Sequence, residues 1–175
     1  AIKSVGKAAV DDIAEERRQR GDFRDFQDFI DRMPKSVNRK AVENFIKAGA
    51  FDRLPGNRRQ KLLATERMME DAQDRKRSEV QGQMSLFDLV SGDERDSFKS
   101  RLPDVEEFPK EELLQYEKEA VGIYLSGHPI ESYIESFRRI VNTVSTQYLA
   151  DEETETCELK EGQQAISGGI VSERK

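Results

Sequence analysis

The sequence has little cysteine and little histidine, with one residue of each among 175. A single thiol, Cys157, cannot build an internal disulfide framework, and this composition is typical of a protein from a reducing cytosol. His128 is the only histidine, so a metal cluster of His and Cys ligands is excluded. It lies between Gly127 and Pro129, where we expect a structural role in a turn rather than acid–base chemistry.

Long apolar runs and catalytic motifs are also missing. No run of 18 or more apolar residues occurs and the first residues do not form a signal peptide, so a membrane or secreted protein is not expected. No glycine-rich loop is followed by Lys and Ser or Thr, which excludes a phosphate-binding loop of that type. Adjacent carboxylates at 11–12, 106–107 and 111–112 are expected on solvated faces. The sequence therefore predicts no catalytic residues and no metal site.

Apolar residues are too few for one large compact core. Charged residues make up 37% of the chain and the mean hydropathy is −0.80, although Phe, Tyr and Leu occur in clusters that can fold. Residues 1–67 hold 16 Lys and Arg against 11 Asp and Glu, whereas residues 68–175 hold 13 against 24. The basic first third is compatible with a polyanionic partner, and the acidic remainder argues against one there.

The spacing of apolar residues predicts a mostly helical chain. The expected helices run from Lys7 to about Arg20, from the N-cap Asp22 to Met33, from the N-cap Asn38 to Ala48, from the N-cap Asn57 to about Asp74, from Lys110 to Leu125 and from Pro129 to Ile140. Asp and Asn are expected as N-caps because their side chains accept hydrogen bonds from the first N–H groups of a helix. The run Ala48-Gly49-Ala50-Phe51 predicts a left-handed C-cap with Phe51 folded back. The apolar face of the second helix is expected to contain Phe23, Phe26, Phe29 and Ile30.

The pattern changes toward the C-terminal end. The last helix is expected to bury the stripe Ile130, Tyr133, Ile134, Phe137 and Ile140. Residues 141–149 and 164–171 then predict two strands, separated by the acidic segment 151–155. A lone strand is not stable in water, so we expect an incomplete β domain at this end. The predicted fold class is mostly α: a small helical bundle, a flexible linker, and helices leading into a truncated β segment.

Residues 4–10, Ser4-Val5-Gly6-Lys7-Ala8-Ala9-Val10, resemble the hairpin of a helix-hairpin-helix unit. Glycine in that motif lets the N–H groups at a helix N-terminus approach a DNA phosphate, and a nearby lysine adds charge without reading bases. Ser4 stands where the fuller motif often has its first glycine. Residues 36–40 present a second helix N-terminus with two cations. The alternative for residues 4–10 is a simple turn between helices. The alternative for residues 36–40 is an ordinary solvated surface. The candidate DNA-binding residues are Lys3, Ser4, Val5, Gly6, Lys7, Ser36, Asn38, Arg39 and Lys40.

A short apolar cluster, Gln83-Met84-Ser85-Leu86-Phe87-Asp88-Leu89, lies between two polar segments. Such flanks cannot bury enough apolar surface to offset the entropy of ordering, so we expect a mobile tether. On that tether the cluster is a candidate docking peptide, with Leu86 and Phe87 as apolar anchors and the Gln83 amide setting the register. A short strand or helix end packed on its own domain explains the pattern equally well.

Five segments occur in an order that resembles the α subunits of bacterial DNA polymerase III, the C-family replicative polymerases. They are Ala1-Ile2-Lys3-Ser4-Val5-Gly6, then Val37-Asn38-Arg39-Lys40 with Ile46-Lys47-Ala48-Gly49-Ala50-Phe51-Asp52, then Gln83-Met84-Ser85-Leu86-Phe87, then Glu117-Lys118-Glu119-Ala120-Val121-Gly122-Ile123-Tyr124-Leu125-Ser126-Gly127-His128-Pro129. The resemblance covers nearly the whole chain. Its most specific parts are 47–52 and 124–129.

The resemblance implies a domain layout. Residues 1–56 would be a tandem helix-hairpin-helix region that grips duplex DNA behind the active site. Residues 57–109 would be a helix and a flexible linker, residues 110–142 a helical connector, and residues 143–175 the beginning of an OB-fold domain. Within the linker, the residues implied to dock on the ring-shaped β sliding clamp are Gln83, Met84, Ser85, Leu86 and Phe87.

The resemblance also implies an activity for the whole protein. That protein would be a DNA-directed DNA polymerase, a nucleotidyltransferase that uses magnesium, with its palm and metal-binding aspartates upstream. The present chain would bind without catalysing and would hold no cofactor. The implied partners are duplex DNA, the β sliding clamp and other replicase subunits, in a bacterial cytoplasm at the nucleoid. The competing hypotheses are a clamp-binding helix-hairpin-helix repair protein and an all-helical adaptor with no nucleic-acid role.

Overall fold

The computed structural model describes residues 1–80, 102–148 and 159–171, and these fall into two compact units, Ala1–Ser126 and Gly127–Lys175. Six α-helices occur in the described residues: α1 Lys7–Arg20, α2 Phe26–Arg32, α3 Arg39–Lys47, α4 Arg58–Val80, α5 Lys110–Val121 and α6 Ile134–Ile140. Two 3₁₀ segments, Pro129–Tyr133 and Ser145–Tyr148, lie in the second unit. The predicted mostly helical fold is confirmed for this part of the chain.

The core of the first unit is built by α1 to α4 around a group of phenylalanines. Phe29 lies with its ring centroid 4.6 Å from that of Phe51, and Phe26 and Phe45 lie 5.3 and 6.1 Å from the same ring. The buried apolar residues of this cluster are Ala9, Phe26, Phe29, Ile30, Val37, Ala41, Val42, Phe45, Ile46, Phe51, Ala64, Met68 and Ala72. The predicted apolar face of α2 is thereby confirmed, with Phe23 packed at its edge.

Two of the three predicted N-caps are confirmed. Asn38 accepts a hydrogen bond from the Ala41 N–H at 2.9 Å, and Asn57 accepts one from the Gln60 N–H at 2.8 Å. Gln60 returns the interaction by accepting from the Asn57 N–H, which completes a reciprocal capping box. The prediction for α2 is wrong, because Asp25 supplies its cap and Asp22 is 2.6 Å from a nitrogen of the Arg17 guanidinium instead.

The predicted left-handed C-cap of α3 is confirmed. Gly49 has a φ of +76°, and its N–H donates to the Ile46 carbonyl while the Ala50 N–H donates to the Phe45 carbonyl, both at 2.9 Å. These two bonds form a Schellman motif that returns Phe51 to the core. A Cβ atom at position 49 would also stand 2.9 Å from the central carbon of the Arg58 guanidinium. Only glycine therefore meets both the backbone and the packing requirement here.

The helix α5 ends earlier than predicted. It stops at Val121 rather than Leu125, because Gly122 has a φ of +91° and closes it. The Leu125 and Ser126 N–H groups then donate to the Glu117 carboxylate at 2.7 and 2.9 Å, which bends the chain back on the helix. At its other end, the segment before α5 caps α4, since both oxygens of Glu107 accept from N–H groups in the first turn of α4.

The second unit contains no strand among its described residues. The predicted strand 141–149 is wrong in its described part, residues 141–148, because Ser145–Tyr148 forms a 3₁₀ turn. Residues 164–171 are also irregular, although Asn142 and Thr143 hydrogen-bond to the backbone of Ile166. The predicted stripe of the last helix is not buried either, since the exposed large side chains include Tyr133, Ile134 and Ile140. Among the described residues, too little of the chain packs on this short helix to cover it.

His128 caps the 3₁₀ segment, as the turn role predicts. Its Nδ1 atom accepts from the Ile130 N–H, and Glu131 accepts from the His128 N–H. No helix within the described ranges is long and apolar enough to cross a membrane.

Candidate nucleic-acid interface

The first hairpin is a tight turn at residues 2–5. The Val5 N–H donates to the Ile2 carbonyl at 3.4 Å, and Ser4 has a φ of +60°. Ser4 therefore adopts the left-handed conformation that favours glycine, at the position where the motif often has one. For a non-glycine residue this conformation costs about 1–2 kcal/mol. The serine keeps the turn geometry despite the departure in sequence.

Contacts from distant helices hold this hairpin in place. The Lys3 N–H donates to the Ala120 carbonyl in α5 at 2.8 Å, and the Lys3 carbonyl accepts from the Asn44 side chain in α3 at 2.7 Å. Ile2 and Val5 pack against the buried core. Because the turn is fixed on both sides, the strain at Ser4 is supported by the surrounding structure.

The N-terminus of α1 follows the hairpin and is open to solvent. Gly6 is the N-cap with an extended backbone, no side chain caps the helix, and no acidic residue lies in its first turn. Gly6, Lys7 and Ala8 are exposed. Apart from its chain neighbours, a Cβ built on Gly6 would meet no described heavy atom within 4 Å, so the side-chain position of this cap is open. Open N–H groups with a helix dipole behind them suit an anionic ligand.

The second hairpin has the same outline, but its polar groups are bonded within the protein. The Val37 N–H donates to the Pro34 carbonyl at 3.0 Å, and the Ser36 hydroxyl donates to Asp12 at 2.6 Å. The Asn38 side chain is already used as the cap of α3. Of the four residues predicted here, only the exposed Lys40 side chain has no hydrogen bond or ion pair with the described residues.

Arg39 in this second hairpin forms ion pairs with two carboxylates. Its guanidinium bonds Glu43 at 2.8 Å and also Glu66. The hydrogen bonds from Glu43 and then Glu66 raise the pKa of Arg39 above its ordinary value. Both carboxylates reduce the net positive charge that Arg39 presents to a polyanion.

A short internal repeat relates the two hairpins, and sequence reasoning missed it. Residues 3–10, Lys-Ser-Val-Gly-Lys-Ala-Ala-Val, align with residues 35–42, Lys-Ser-Val-Asn-Arg-Lys-Ala-Val, with five of eight positions identical. In each copy a turn precedes an extended N-cap, the helix starts at the fifth position, and the alanine at the seventh position is buried. The repeat adds one candidate, the exposed Lys35, as the counterpart of Lys3.

A buried ion network joins the hairpin region to α5. Arg58, at 7% exposure, lies 2.6 Å from Asp52 and 3.0 Å from Glu117, which has no exposed surface. Burial acts to raise the pKa of Glu117, but the N–H groups of Ser126 and Leu125 together with Arg58 outweigh it and hold the pKa below its ordinary value. The network fixes α5 against α3 and α4. The Ala120 carbonyl is thereby held at the position where it bonds the first hairpin.

Lys61 is a second buried cation among the described residues of this unit. Its ammonium donates to the carbonyls of Phe51 and Leu54 at 2.9 and 3.0 Å and to that of Gly56. Burial lowers the pKa of Lys61. The three carbonyls use every donor of the ammonium, so this lysine organises the 51–56 loop and faces no ligand.

The predicted docking peptide, Gln83 to Phe87, lies outside the described residues.

Within the described part of the chain, no group of three or more His, Cys, Asp or Glu side chains could hold a metal ion.

Comparison with known proteins identifies relatives of the chain. The helix-hairpin-helix motif family matches residues 1–61. A protein named DNA polymerase III subunit alpha from Caulobacter vibrioides is 34% identical over 154 residues, which is 87% of this chain and 13% of that protein. Proteins of the same name from Campylobacter jejuni and Borreliella burgdorferi are 41% and 36% identical over 80% and 78% of the chain.

The chain spans about an eighth of the length of these relatives, 12–13% in each case. The resemblance predicted from the sequence is therefore confirmed: most of this chain is similar to one segment of DNA polymerase III subunit alpha, and its first 61 residues match the helix-hairpin-helix motif family.

Proposed function

We propose that the chain is a non-catalytic segment of a bacterial replicative polymerase that grips duplex DNA through its two hairpins. The observation that carries this proposal is the open N-terminus of α1, with Lys3 and Lys7 beside it and a rigidly anchored turn before it. Backbone N–H groups and lysines address phosphates, so binding should be independent of base sequence. Duplex DNA in a bacterial cytoplasm, at the nucleoid, is the implied setting.

Binding should depend strongly on salt. If Lys3, Lys7, Lys35 and Lys40 each neutralise one phosphate, log K falls against log salt with a slope of roughly −3.6. Fluorescence anisotropy with labelled duplexes of two unrelated sequences measures both properties. A strong preference for one sequence, or an affinity that does not change with salt concentration, contradicts the hairpin assignment.

A charge reversal on α1 locates the interface. Lys7→Glu should weaken binding to both duplexes alike, because it places a carboxylate at the open helix end. Arg18→Glu is the matched control, since it makes a comparable charge reversal on the same helix roughly 16 Å away. Equal losses in the two variants would show that net charge, and not this site, governs binding.

The docking peptide gives the proposal its second part. We propose that Gln83, Leu86 and Phe87 anchor the chain on the β sliding clamp, so that DNA gripping and clamp docking support processive synthesis. The support is the sequence pattern together with the resemblance. Other replicase subunits would be partners of the whole protein, magnesium would serve its polymerase site, and residues 143–175 would correspond to the start of an OB-fold domain. A pull-down on purified clamp, with and without peptide residues 83–87 as competitor, tests the docking.

A further inference from the structure

The C-terminal turn of α5 lies at the edge of the first hairpin and brings a carboxylate with it. Ala120 accepts the Lys3 N–H, and the residue before it, Glu119, has its carboxylate 2.8 Å from the Lys47 ammonium. Neither Glu119 nor Lys47 belongs to the hairpins. The Lys47 ammonium is also held over the ring of Tyr116 at 5.0 Å, which fixes its direction toward α5.

One face of α3 supports this arrangement. Lys40, Asn44 and Lys47 follow each other at spacings of four and three residues, so they lie on the same side of the helix. Asn44 holds the Lys3 carbonyl and Lys47 holds Glu119. The pKa of Glu119 is lowered by Lys47 first, and then through space by Lys3 and Lys40. Lys47 therefore pairs directly with the carboxylate, and Lys3 and Lys40 add positive charge from a greater distance.

The ion pair is accessible and easily exchanged. The Glu119 side chain is 60% exposed and that of Lys47 is 22% exposed. Exposed pairs of this kind are weak because water and salt screen them. A phosphate group offers the same type of charged oxygen as the carboxylate, and it can take the place of Glu119 without disturbing the buried core.

We propose that Lys3, Lys40 and Lys47 form a phosphate subsite of the DNA interface and that Glu119 occupies it in the free protein. The proposal rests on the duplex-binding function given above. Glu119 then lowers the affinity for duplex DNA, because each binding event must displace it and leave a carboxylate next to a phosphate. Lys47 becomes a DNA contact that lies outside both hairpin motifs.

The test is Glu119→Gln in the full chain, with duplex affinity measured by anisotropy across a salt series. We expect roughly two- to fivefold tighter binding at low salt, the range that an exposed ion pair supports. The salt slope should change by less than the roughly 0.9 of one phosphate, because Lys47 meets the phosphate in both complexes. Glu111→Gln is the matched control, because it removes one exposed carboxylate from the same helix two turns away.

A second substitution works in the opposite direction. Lys47→Gln should weaken binding, and in that background Glu119→Gln should change the affinity less than it does alone, because the pair shares one subsite. Thermal melting of each variant checks that folding is retained.

The outcomes separate the two proposals. If the natural chain binds duplex DNA with the expected salt dependence but Glu119→Gln behaves like Glu111→Gln, the subsite is overturned and the hairpin function stands. If the natural chain does not bind duplex DNA at low salt, the proposed function fails and the subsite fails with it.

Discussion

Replacing Glu117 with alanine should destabilise the first unit more than any change on its surface. The carboxylate is fully buried and accepts hydrogen bonds from Arg58, Leu125 and Ser126 at 2.7–3.0 Å. Removing one partner of a buried ion pair typically costs about 3–5 kcal/mol. The lower end applies here, because Arg58 keeps Asp52 at 2.6 Å and water can reach the freed N–H groups of the two exposed residues.

We therefore expect a loss of about 3 kcal/mol in the free energy of unfolding. For a unit of this size, roughly 4 °C of melting temperature accompanies each kcal/mol, so the midpoint should fall by about 12 °C. Thermal melting followed by circular dichroism at neutral pH measures this. Glu111→Ala, which truncates an exposed glutamate in the first turn of the same helix, should shift the midpoint by no more than about 2–4 °C.

The pH dependence gives a second measurement of the same contact. The folded-state pKa of Glu117 lies below its ordinary value of 4.5, so the unfolded chain binds the proton more readily. The stabilisation is complete above the ordinary pKa and is lost as the pH falls through the folded pKa. The natural chain should therefore lose more stability than Glu117→Ala between pH 6 and an acid pH below 4.5. Equal acid sensitivity, or a midpoint unchanged at neutral pH, would refute the network.

Other substitutions test other parts of the structure. Gly49→Ala should lower the melting midpoint by several degrees, because it combines a positive φ with a Cβ 2.9 Å from the Arg58 guanidinium carbon, and circular dichroism records the loss. Gly6→Ala should leave the midpoint nearly unchanged, since its φ is −75° and no atom lies near, yet it should weaken duplex binding by obstructing the open N–H groups. Leu86→Ala with Phe87→Ala should abolish clamp capture at micromolar concentrations and preserve melting and duplex affinity; unfolding would show that the pair is core. Purified chain with primed template and magnesium should incorporate no nucleotide, and extension by pure material would contradict the non-catalytic role.

Local signals in the sequence were sufficient for most of the helix boundaries. Asn38, Asn57 and Gly49 act within one helical turn of themselves, so their capping roles could be predicted from neighbours alone. The end of α5 was missed, because apolar residues continue past Gly122 in helical spacing although this glycine closes the helix. The path of the chain beyond it depends on the buried Glu117 carboxylate, which pairs with Arg58 from a distant part of the chain.

The features of the candidate site also divide into those that a local pattern predicts and those that depend on distant parts of the chain. Lys3, Gly6 and Lys7 could be found from a local motif, and the repeat at 35–42 was visible in the sequence. The hydrogen bond from Ser36 to Asp12 joins elements that are far apart in the chain, so no local pattern predicts it. The C-terminal strands were predicted from β-rich composition, but composition does not specify the pairing that a strand requires.

The bond between the Lys3 N–H and the Ala120 carbonyl has a consequence for folding and for truncation. It closes a loop of more than a hundred residues, so the hairpin can reach its final geometry only after α5 has docked. A fragment that ends at residue 61, where the motif match ends, would retain most of the phenylalanine core but none of the α5 anchors. The turn at residues 2–5 thus depends on a segment far from it in the sequence, and a piece that keeps both this bond and the Glu117 contacts extends to Ser126.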